Sequence, residues 1–407
     1  MVRESIRRIL TINTGSSSLR ADCYQVGRGE TLVFSAEAER IGLPGTRLRI
    51  ADANGTSLNE QQDDRLDHTA AIEAVFAWLR DHGAQRELDA VGHRVVHGGN
   101  RYSEPQPITP TLVQSIEELV PIDPDHLPQA LAAMRFVSQT YPALLQVACF
   151  DTAFHRHMPQ VAQAYALPRH LTDAGLARLA RYGFHGLSYE YIMEQLRTEA
   201  ATAADGRVII AHLGNGASMA AVREGKSVDT TMGFTPTGGL VMSTRSGDLD
   251  PGVLLYLLQE QQLTPAALGE LVNKQSGLLG VSGSSGDMRD LVTRQSSDAD
   301  AAAAVELFCY QARKFLGALC TTLGGLDTLV FTAGIGEHQA EIRRRICDGL
   351  QFLGIVLDPD RNQAHAPIIS RELSGVFVRV MHTDENRMIA RHAAQLIKEQ
   401  GATRVSV

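Results

Sequence analysis

The sequence predicts an α/β fold in which strands and helices alternate along the whole chain. Short apolar or β-branched runs at 9–12, 91–96 and 329–331 are typical of buried strands. Apolar residues recur at helical spacing in 68–79 and 299–323. A chain of 407 residues is also too long for one ordinary core. We therefore expect about two α/β domains.

In the first half, a strand and its hairpin partner are followed by helix, strand, helix and strand. Thr109 and Pro110 are the residue types favoured at the N-cap and first position of a helix. Asp151 directly follows an apolar run, which places a carboxylate at the carboxyl end of a predicted central strand, a usual location for chemistry. The predicted elements are strands 9–12, 19–26, 91–96 and 145–150, and helices beginning at His68 and Thr109.

The second half repeats this outline, which predicts two halves built on one plan. A glycine- and serine-rich stretch, 277–286, is interpreted as a flexible connector. We expect domains at 1–153 plus 386–407 and at 154–385, with the final helix returning to the first domain. The predicted elements are strands 208–213 and 329–331, a hairpin around 223–226, and helices from Asp250, Thr264, Ala299, Glu337 and Glu385.

Composition excludes several classes of protein. The net charge of −8 argues against a nucleic-acid-binding surface, which needs clustered Lys and Arg. No run approaches the ~20 apolar residues that span a bilayer, and the first residues lack a signal peptide's apolar stretch. The five cysteines show no metal or redox spacing, so we expect reduced, mostly buried thiols in a cytoplasmic protein.

Three polar, glycine-bearing loops each follow a predicted strand, at 13–18, 212–218 and 332–337. Small residues let backbone N–H groups and hydroxyls approach phosphate oxygens closely, so together the loops predict one nucleotide site. The chain has no Walker A motif, no kinase HRD and DFG set and no G-x-S-x-G elbow. The actin-like ATPase and sugar-kinase architecture is the natural candidate.

An anionic ligand in an acidic protein requires positive groups placed locally. Arg94 and Arg245 lie among small or apolar residues. This setting favours a functional role for Arg245, and for Arg94 it leaves a functional and a structural role equally open. His185, between Phe184 and Gly186, is either a site residue or a hydrogen-bonded core histidine. His155 and His157 are expected at the surface.

Seven segments carry a combined signal: 13–18, 92–99 (GHRVVHGG), 150–155 (FDTAFH), 181–186 (RYGFHG), 212–218, 232–236 and 332–337. Taken together, they resemble the acetate kinase family nearly end to end. The resemblance implies the acetate and sugar kinase, Hsp70 and actin superfamily, with two duplicated ribonuclease H-like domains and an interdomain cleft. It also implies ATP or ADP, Mg²⁺ (with Mn²⁺ as an alternative ion), acetate and a homodimer, without nucleic-acid or membrane partners.

The resemblance also assigns expected roles to individual residues. It implies catalytic roles for Arg94, Asp151, His185 and Arg245, and metal binding by Asn13 and Glu385. Substrate would contact Arg94, Val96, Ile122, Phe184 and Pro236. Nucleotide would contact Ser16, Ser18, Arg20, His212, Leu213, Gly214, Asn215, Gly216, Asp287, Met288, Arg289, Gly334, Ile335, Gly336, Glu337 and His338.

One departure concerns the phosphoryl path. Pro121-Ile122-Asp123-Pro124 stands where the family usually reads Pro-Leu-His-Asn-Pro, so a carboxylate replaces an active-site histidine. An acid there would repel phosphates. Either His126 reaches back from a rearranged loop, or the site works with fewer positive groups and prefers a different partner.

Four functions are consistent with these observations. The leading one is reversible phosphoryl transfer between ATP and acetate, and the nearest alternative is a propionate or other short-chain acyl kinase. A nucleotide switch of the actin and Hsp70 kind would not need Arg94, Asp151, His185 and Arg245 beside an apolar pocket. A fourth reading is an acyl-kinase scaffold that Asp123 has inactivated.

Overall fold

The protein is described here by a computed structural model covering residues 6–83, 87–172 and 178–405. Its contacts group into two compact units. The first unit comprises Met1–Ala153, Ala174–Arg178 and Asp384–Val407, and the second comprises Phe154–Asp173 and Leu179–Thr383. The last helix therefore belongs to the first unit.

The described residues form two sheets, one in each unit. The strands are β1 Arg7–Thr14, β2 Ser18–Val26, β3 Glu30–Glu39, β4 Arg47–Asp52, β5 Ser57–Gln62, β6 Ala90–Val95, β7 Gln106–Pro107, β8 Leu145–Phe150, β9 Arg207–Leu213, β10 Ala217–Arg223, β11 Lys226–Thr230, β12 Thr328–Thr332 and β13 Phe377–Val380.

Helices connect the strands and cover the sheets. They are α1 His68–Asp81, α2 Pro110–Glu117, α3 Leu127–Thr140, α4 Gln160–Gln163, α5 Arg169–Thr172, α6 Gly186–Glu199, α7 Ala201–Ala204, α8 Pro251–Gln259, α9 Pro265–Lys274, α10 Gly277–Ser282, α11 Met288–Arg294, α12 Ala299–Leu323, α13 Ala333–His338, α14 Ala340–Cys347, α15 Pro359–Gln363 and α16 Glu385–Val405.

The two sheets share one topology. The first sheet has the order β5-β4-β3-β2-β1-β6-β8-β7 and the second β11-β10-β9-β12-β13. In the first sheet, the pairings β1–β2 and β2–β3 are antiparallel, and the pairings β1–β6 and β6–β8 are parallel. In the second sheet, the equivalent pairings β9–β10 and β10–β11 are antiparallel, and β9–β12 and β12–β13 are parallel. The prediction of two halves built on one plan is confirmed.

This shared plan places the predicted loops at equivalent positions. The loop between β1 and β2 corresponds to the loop between β9 and β10, and each is closed by a backbone hydrogen bond, from Gly15 to Ser18 and from Gly214 to Gly216. The residues after β6 correspond to those after β12. Both sheets therefore present polar residues at the carboxyl ends of their parallel strands, where ligands bind in open α/β sheets.

Local sequence signals predicted most elements well. Helix α12 has the predicted bounds, since Asp298 caps its first turn through two backbone N–H groups and Gly324 follows it in the left-handed region. Thr109, Asp250 and Thr264 act as N-caps in the same way. The cysteines are free and buried, as expected. Among the described residues, no helix has the length and apolar character needed to cross a membrane.

The predicted third loop, 332–337, is wrong: the chain turns directly from β12 into helix α13. Ala333 adopts a left-handed φ of 64°, and its N–H donates to the Glu337 carboxylate at 2.8 Å. Glycines at 334 and 336 lower helix propensity, which made the segment look like a loop. The helix predicted from 337 to 350 is instead two helices, α13 and α14, separated by Gln339.

Two further predictions fail because tertiary contacts override local composition. Residues 277–282 of the predicted connector form helix α10, with Leu278 buried. Gly277 has φ 63°, and a Cβ there would lie 2.3 Å from the Met242 carbonyl oxygen. His155 is buried, not at the surface, and its ring nitrogens bond with the Ser227 hydroxyl and the Phe184 carbonyl. Burial lowers the pKa of His155 to about 4, so its ring is neutral.

Candidate active site

Four of the predicted site residues form one hydrogen-bonded network in the first unit. Arg94, on β6, donates hydrogen bonds to the Asp151 carboxylate from Nε at 3.0 Å and from Nη2 at 2.6 Å. Its Nη1 donates to Asn13 Oδ1 at 3.1 Å, and Asn13 Nδ2 donates to Glu385 Oε2 at 3.1 Å. The ends of β1, β6 and β8 and the start of α16 supply these side chains, so the fold brings residues far apart in sequence together.

The electrostatics of this network keep Arg94 charged. Burial opposes its charge, but Asp151, Glu385 and Asp123 together outweigh that effect and raise the pKa of Arg94 above its usual value. Asp151 is only 1% exposed and contacts two nitrogens of the Arg94 guanidinium. Three of the five N–H groups of Arg94 are engaged by Asp151 and Asn13, and the other two have no hydrogen-bond partner among the described residues.

A second set of contacts holds the first turn of α16 against β2. The buried Asp22 carboxylate accepts from Asn386 Nδ2 at 2.8 Å and from Ser35 Oγ at 2.5 Å. Tyr24 Oη donates to Asp384 at 3.1 Å. Asp384 and Asn386 flank Glu385, so these bonds fix the backbone that carries it. These contacts were not predicted from the sequence, although Asp22 and Tyr24 lie two residues apart on one predicted strand.

His185 lies at the centre of the polar residues of the second unit. Its backbone is left-handed, with φ 60°, at the N-cap of α6. The ring bonds with Ser218 Oγ at 2.8 Å and stacks on His212, with ring centroids 4.1 Å apart. Few non-glycine residues adopt this region, in which histidine is enriched, and five other described non-glycine residues of this chain adopt it too. The site-residue and core-histidine interpretations of His185 are both consistent with these contacts.

Arg245 and the β9–β10 loop meet beside His185. A Cβ on Gly216 would lie 3.1 Å from His185 Nε2, a tight contact, and 3.8 Å from Arg245 Nη1, so the loop backbone runs close to both side chains. Arg245 Nη1 also donates to the Pro236 carbonyl at 3.2 Å. The structure thus brings a guanidinium, an imidazole and a glycine of the β9–β10 loop together in one unit.

A cavity of about 370 Å³ unites three predicted nucleotide segments of the second unit. Its lining combines the β9–β10 loop, the start of α11 and the α13 region. The lining residues that were predicted from sequence are Gly214, Asn215, Asp287, Met288, Arg289, Gly334, Ile335 and His338. The other two lining residues, Gly286 and Gln339, were not predicted from the sequence. Each is next in sequence to a residue that was predicted, and this was the signal that could have found them. This volume is in the range of small-molecule sites.

A substitution at Gly334 tests the role of this cavity. A Cβ at Gly334 would meet no atom within 4 Å, so Gly334→Val is expected to fold normally and to place its methyl groups in the cavity. We expect ADP binding to weaken by roughly tenfold or more, measured by calorimetry. Gly317→Val in α12 is the matched control, since a Cβ there also meets nothing within 4 Å. Equal ADP binding by both variants would contradict a nucleotide role for the cavity.

Several predicted nucleotide residues do not line the cavity. Glu337 is buried, and its carboxylate bonds with Ala333 N, Thr383 N and His382 Nδ1. Burial opposes its ionisation, but these bonds outweigh burial and lower the pKa of Glu337. The other residues outside the lining are His212, Leu213, Gly216 and Gly336 in the second unit and the exposed Ser16, Ser18 and Arg20 in the first.

The buried Arg343 ties α13 to α15. Its guanidinium donates at 2.8 Å to the carbonyl oxygens of Gly336, Glu337 and Asn362, and also to Asn362 Oδ1. Arg343 therefore holds the end of α13, a helix whose first turn and last residue both line the cavity. Sequence inspection missed Arg343, because Arg344 and Arg345 beside it look like one exposed basic run.

The predicted acyl-contacting residues are divided between the units. Val96 and Ile122 belong to the first unit and Phe184 and Pro236 to the second. Val96, Phe184 and Pro236 are buried.

The first unit contains oxygen donors of the kind that a divalent cation binds, several of which accept hydrogen bonds from Arg94. Asn13, Asp151 and Glu385 supply amide and carboxylate oxygens in one network, and these are the ligands that Mg²⁺ prefers. The described residues contain no cluster of three or more His, Cys, Asp or Glu arranged to hold a metal alone. Mg²⁺ does not require such a cluster, since it usually keeps waters and binds one or two carboxylates plus substrate phosphates.

Comparison with known proteins identifies the family. The model of the acetokinase family matches residues 8–391. An acetate kinase of Rhodopseudomonas palustris (strain TIE-1) is 44% identical over 394 residues, covering 95% of this chain and 98% of that protein. The crystal structure of Porphyromonas gingivalis acetate kinase has a TM-score of 0.86 at 37% identity, covering 96% of this chain and all of that one.

A solved propionate kinase structure has a comparable TM-score and sequence identity. The enzyme from Francisella tularensis subsp. tularensis SCHU S4 has a TM-score of 0.87 at 34% identity, covering 95% of this chain and 98% of that one. The predicted resemblance and fold class are both confirmed by these matches. The chain belongs to the acetokinase family.

Proposed function

We propose that this member of the acetokinase family is an acetate kinase, which reversibly transfers the γ-phosphoryl group of ATP to acetate and gives acetyl phosphate and ADP. Family membership supports the reaction class. The observation that carries the proposal within the molecule is the 370 Å³ cavity built from the three segments that the sequence predicts for nucleotide. In this proposal residues 154–385 bind nucleotide and the first domain binds the acyl and phosphoryl groups.

The chemistry requires charge neutralisation more than a base. Acetate is ionised at pH 7 and attacks directly, so the obstacle is bringing two anions together for an in-line transfer. Arg94, two of whose N–H groups have no partner among the described residues, would hold the acyl carboxylate. Arg245 would stabilise the equatorial oxygens, and His185 would donate to the transferring phosphoryl group. Asp151 keeps the Arg94 guanidinium oriented and charged.

Asn13 and Glu385 would hold Mg²⁺ or Mn²⁺, with Asp151 orienting the metal or the substrate. A divalent cation there neutralises phosphate charge and aligns the donor. The contacts from Asp22 and Tyr24 to the first turn of α16 would keep Glu385 in place. A cytoplasmic location completes the proposal, since five free thiols suit a reducing compartment.

A propionate kinase is the second candidate, favoured by the similarity to the Francisella tularensis structure. Acetate and propionate differ by one methylene, which an apolar pocket distinguishes by only about 1 to 3 kcal/mol. Val96 and Phe184 are buried and apolar, and either acid would suit them.

A homodimer is also part of the proposal. Helix α8 has the sequence PGVLLYLLQ, yet none of its residues is buried. Leu255 and Tyr256 are 54% and 55% exposed. The neighbouring helix α9 has no buried residue either. Contiguous exposed apolar surface of this kind marks a protein contact, and a second copy of the chain is the partner that the family resemblance implies.

Charged substitutions on α8 test the dimer. Leu255→Glu with Tyr256→Glu is expected to convert the protein to a monomer in light scattering, because two carboxylates would be buried at the contact. Phe352→Glu, at a position 80% exposed outside α8, serves as the control and should leave the mass unchanged. A wild-type protein that is monomeric at micromolar concentration would contradict this part of the proposal.

The reverse reaction tests the proposed function without the need to trap an acyl phosphate. Wild-type protein with acetyl phosphate, ADP and Mg²⁺ should form ATP, followed with a coupled hexokinase assay. ATP formation that requires acetyl phosphate supports an acyl kinase. Absence of ATP formation, with ADP still bound, would exclude one.

A further inference from the structure

Two stacked histidines, His185 and His212, lie beside the β9–β10 loop of the second unit. Their ring centroids are 4.1 Å apart, with 21° between the ring planes. A Cβ built on Gly216 would lie 3.1 Å from His185 Nε2, and one built on Gly214 would lie 4.0 Å from His212 Nε2. Both Nε2 atoms are therefore close to the loop that the sequence predicts for nucleotide phosphates, whereas each Nδ1 atom bonds with a serine hydroxyl.

The His212 ring is bonded through a serine to a threonine, a set that we call the His212 network. Ser188 Oγ lies 2.8 Å from His212 Nδ1, and Thr383 Oγ1 donates to Ser188 Oγ at 2.8 Å. Ser188 is fully buried, and its hydroxyl has no other hydrogen-bond partner among the described residues. Because this hydroxyl accepts the proton of Thr383, its own proton is directed to Nδ1.

The His185 ring is bonded in the same way through a serine to a tyrosine, a set that we call the His185 network. Ser218 Oγ lies 2.8 Å from His185 Nδ1 and also contacts Tyr189 Oη. A phenol is a stronger acid than an aliphatic alcohol, so Tyr189 donates and Ser218 accepts. Ser218 is fully buried, and its hydroxyl has no further partner in the part of the chain that the structure describes. Its proton is therefore also directed to Nδ1.

These contacts fix the tautomer of both rings. A nitrogen that accepts a hydrogen bond carries no proton, so the proton of each neutral imidazole is on Nε2. A proton on Nδ1 instead would leave the buried serine proton without an acceptor, which is unfavourable. An Nε2–H group beside the loop can donate to a phosphoryl oxygen, whereas an unprotonated Nε2 would turn its lone pair toward the anion.

We infer that the two networks hold both stacked imidazoles with the proton on Nε2, so that His212 as well as His185 can donate to the oxygens of the phosphates. The hydroxyl-bearing members of the networks act through the rings and are positioning residues. They are Ser188, Thr383, Ser218 and Tyr189. The inference rests on the proposed function and deepens it, since none of these four was among the predicted site residues.

Nitrogen-15 NMR of the imidazole rings tests the tautomer directly. In protein labelled at histidine, the signals of the two rings are assigned by their loss in His185→Gln and His212→Gln. At neutral pH both rings should show a protonated Nε2 and an Nδ1 that accepts a hydrogen bond. A proton on Nδ1 of either ring, in place of the Nε2 proton or in addition to it, would overturn the inference.

Kinetics on a serine variant test whether the tautomer matters for transfer. Ser218→Ala should lower kcat roughly tenfold to 100-fold with little change in the KM for acetate or ATP, because the ring is no longer held with its proton toward the loop. Ser227→Ala is the matched control, since Ser227 is also fully buried and its hydroxyl lies 2.8 Å from His155 Nδ1, in a ring with no assigned site role. Ser227→Ala should keep a kcat near wild type, with thermal melting recorded for both. An equal kcat in the two variants would overturn the inference.

A milder pair of variants keeps the test decisive if Ser218→Ala does not fold. Thr383 is half-buried, and Thr383→Val removes the hydroxyl that donates to Ser188 but keeps the β-branched shape. It should lower kcat and move the His212 Nδ1 signal, whereas Thr383→Ser keeps the hydroxyl and should match wild type in both. Identical behaviour of these two variants would overturn the inference. A wild type that forms no acetyl phosphate, with both rings protonated on Nε2, would instead overturn the proposed function and leave the tautomer assignment standing.

Discussion

Arg245→Ala is expected to lower turnover with ATP and acetate by roughly 100- to 1,000-fold, corresponding to about 3 to 4 kcal/mol of transition-state stabilisation. The guanidinium lies beside His185 and Gly216 and is absent from the lining of the nucleotide cavity. ADP binding should therefore remain within a few-fold of wild type. Steady-state kinetics and calorimetry on the same preparation measure both quantities.

Arg344→Ala is the control for this substitution. Arg344 forms a half-exposed ion pair with Glu341 on α14, and such pairs contribute little. Turnover by that variant should equal wild type. If Arg245→Ala kept its activity, or lost ADP binding to the same extent as turnover, Arg245 would not be a catalytic residue and a nucleotide switch would be favoured.

Arg343→Ala should cause the largest loss of stability in the second unit, about 3 to 5 kcal/mol. The side chain is fully buried, and its removal leaves three backbone carbonyls and the Asn362 amide without their donor. Burial lowers the pKa of Arg343 to about 10, so the group remains charged at neutral pH and bonds strongly with these acceptors. Denaturant midpoints measure the loss.

The adjacent Arg344→Ala variant again provides the matched control and should change the free energy of unfolding by less than about 1 kcal/mol. Because Arg343 holds the end of α13, its loss should also weaken ADP binding even where the protein remains folded. Equal stability of the two variants would show that the carbonyl cluster around Arg343 does not hold α13 in place.

Most helices and strands were predictable from local signals, because residues within or next to each element in sequence determine where it begins and ends. Asp298 and Gly324 mark both ends of α12, and the β-branched runs mark the central strands. The start of α13 was missed because Glu337 bonds back to Ala333, a contact that glycine content does not reveal. His155 was placed wrongly because its burial depends on Ser227, 72 residues away.

The candidate site was predictable only in part from residue patterns. The contact between His126 Nδ1 and Asp123 Oδ1 joins residues three apart, and it does not decide between the two alternatives drawn for this segment from the sequence. The network that joins Asn13, Arg94, Asp151 and Glu385 spans up to 372 residues, so no local pattern could assemble it. Those residues were grouped by resemblance to the family, and the shared topology of the sheets explains why strand ends far apart in sequence bring them together.

The central claim is tested most directly by the rates at which acetate, propionate and butyrate are phosphorylated with Mg·ATP, with the acyl phosphates trapped as hydroxamates at equal enzyme concentration. An acetate kinase forms acetyl hydroxamate fastest. A faster reaction with propionate would move the assignment to the second candidate. Absence of product from all three acids, in a protein that still binds ATP, would contradict the phosphotransferase reading.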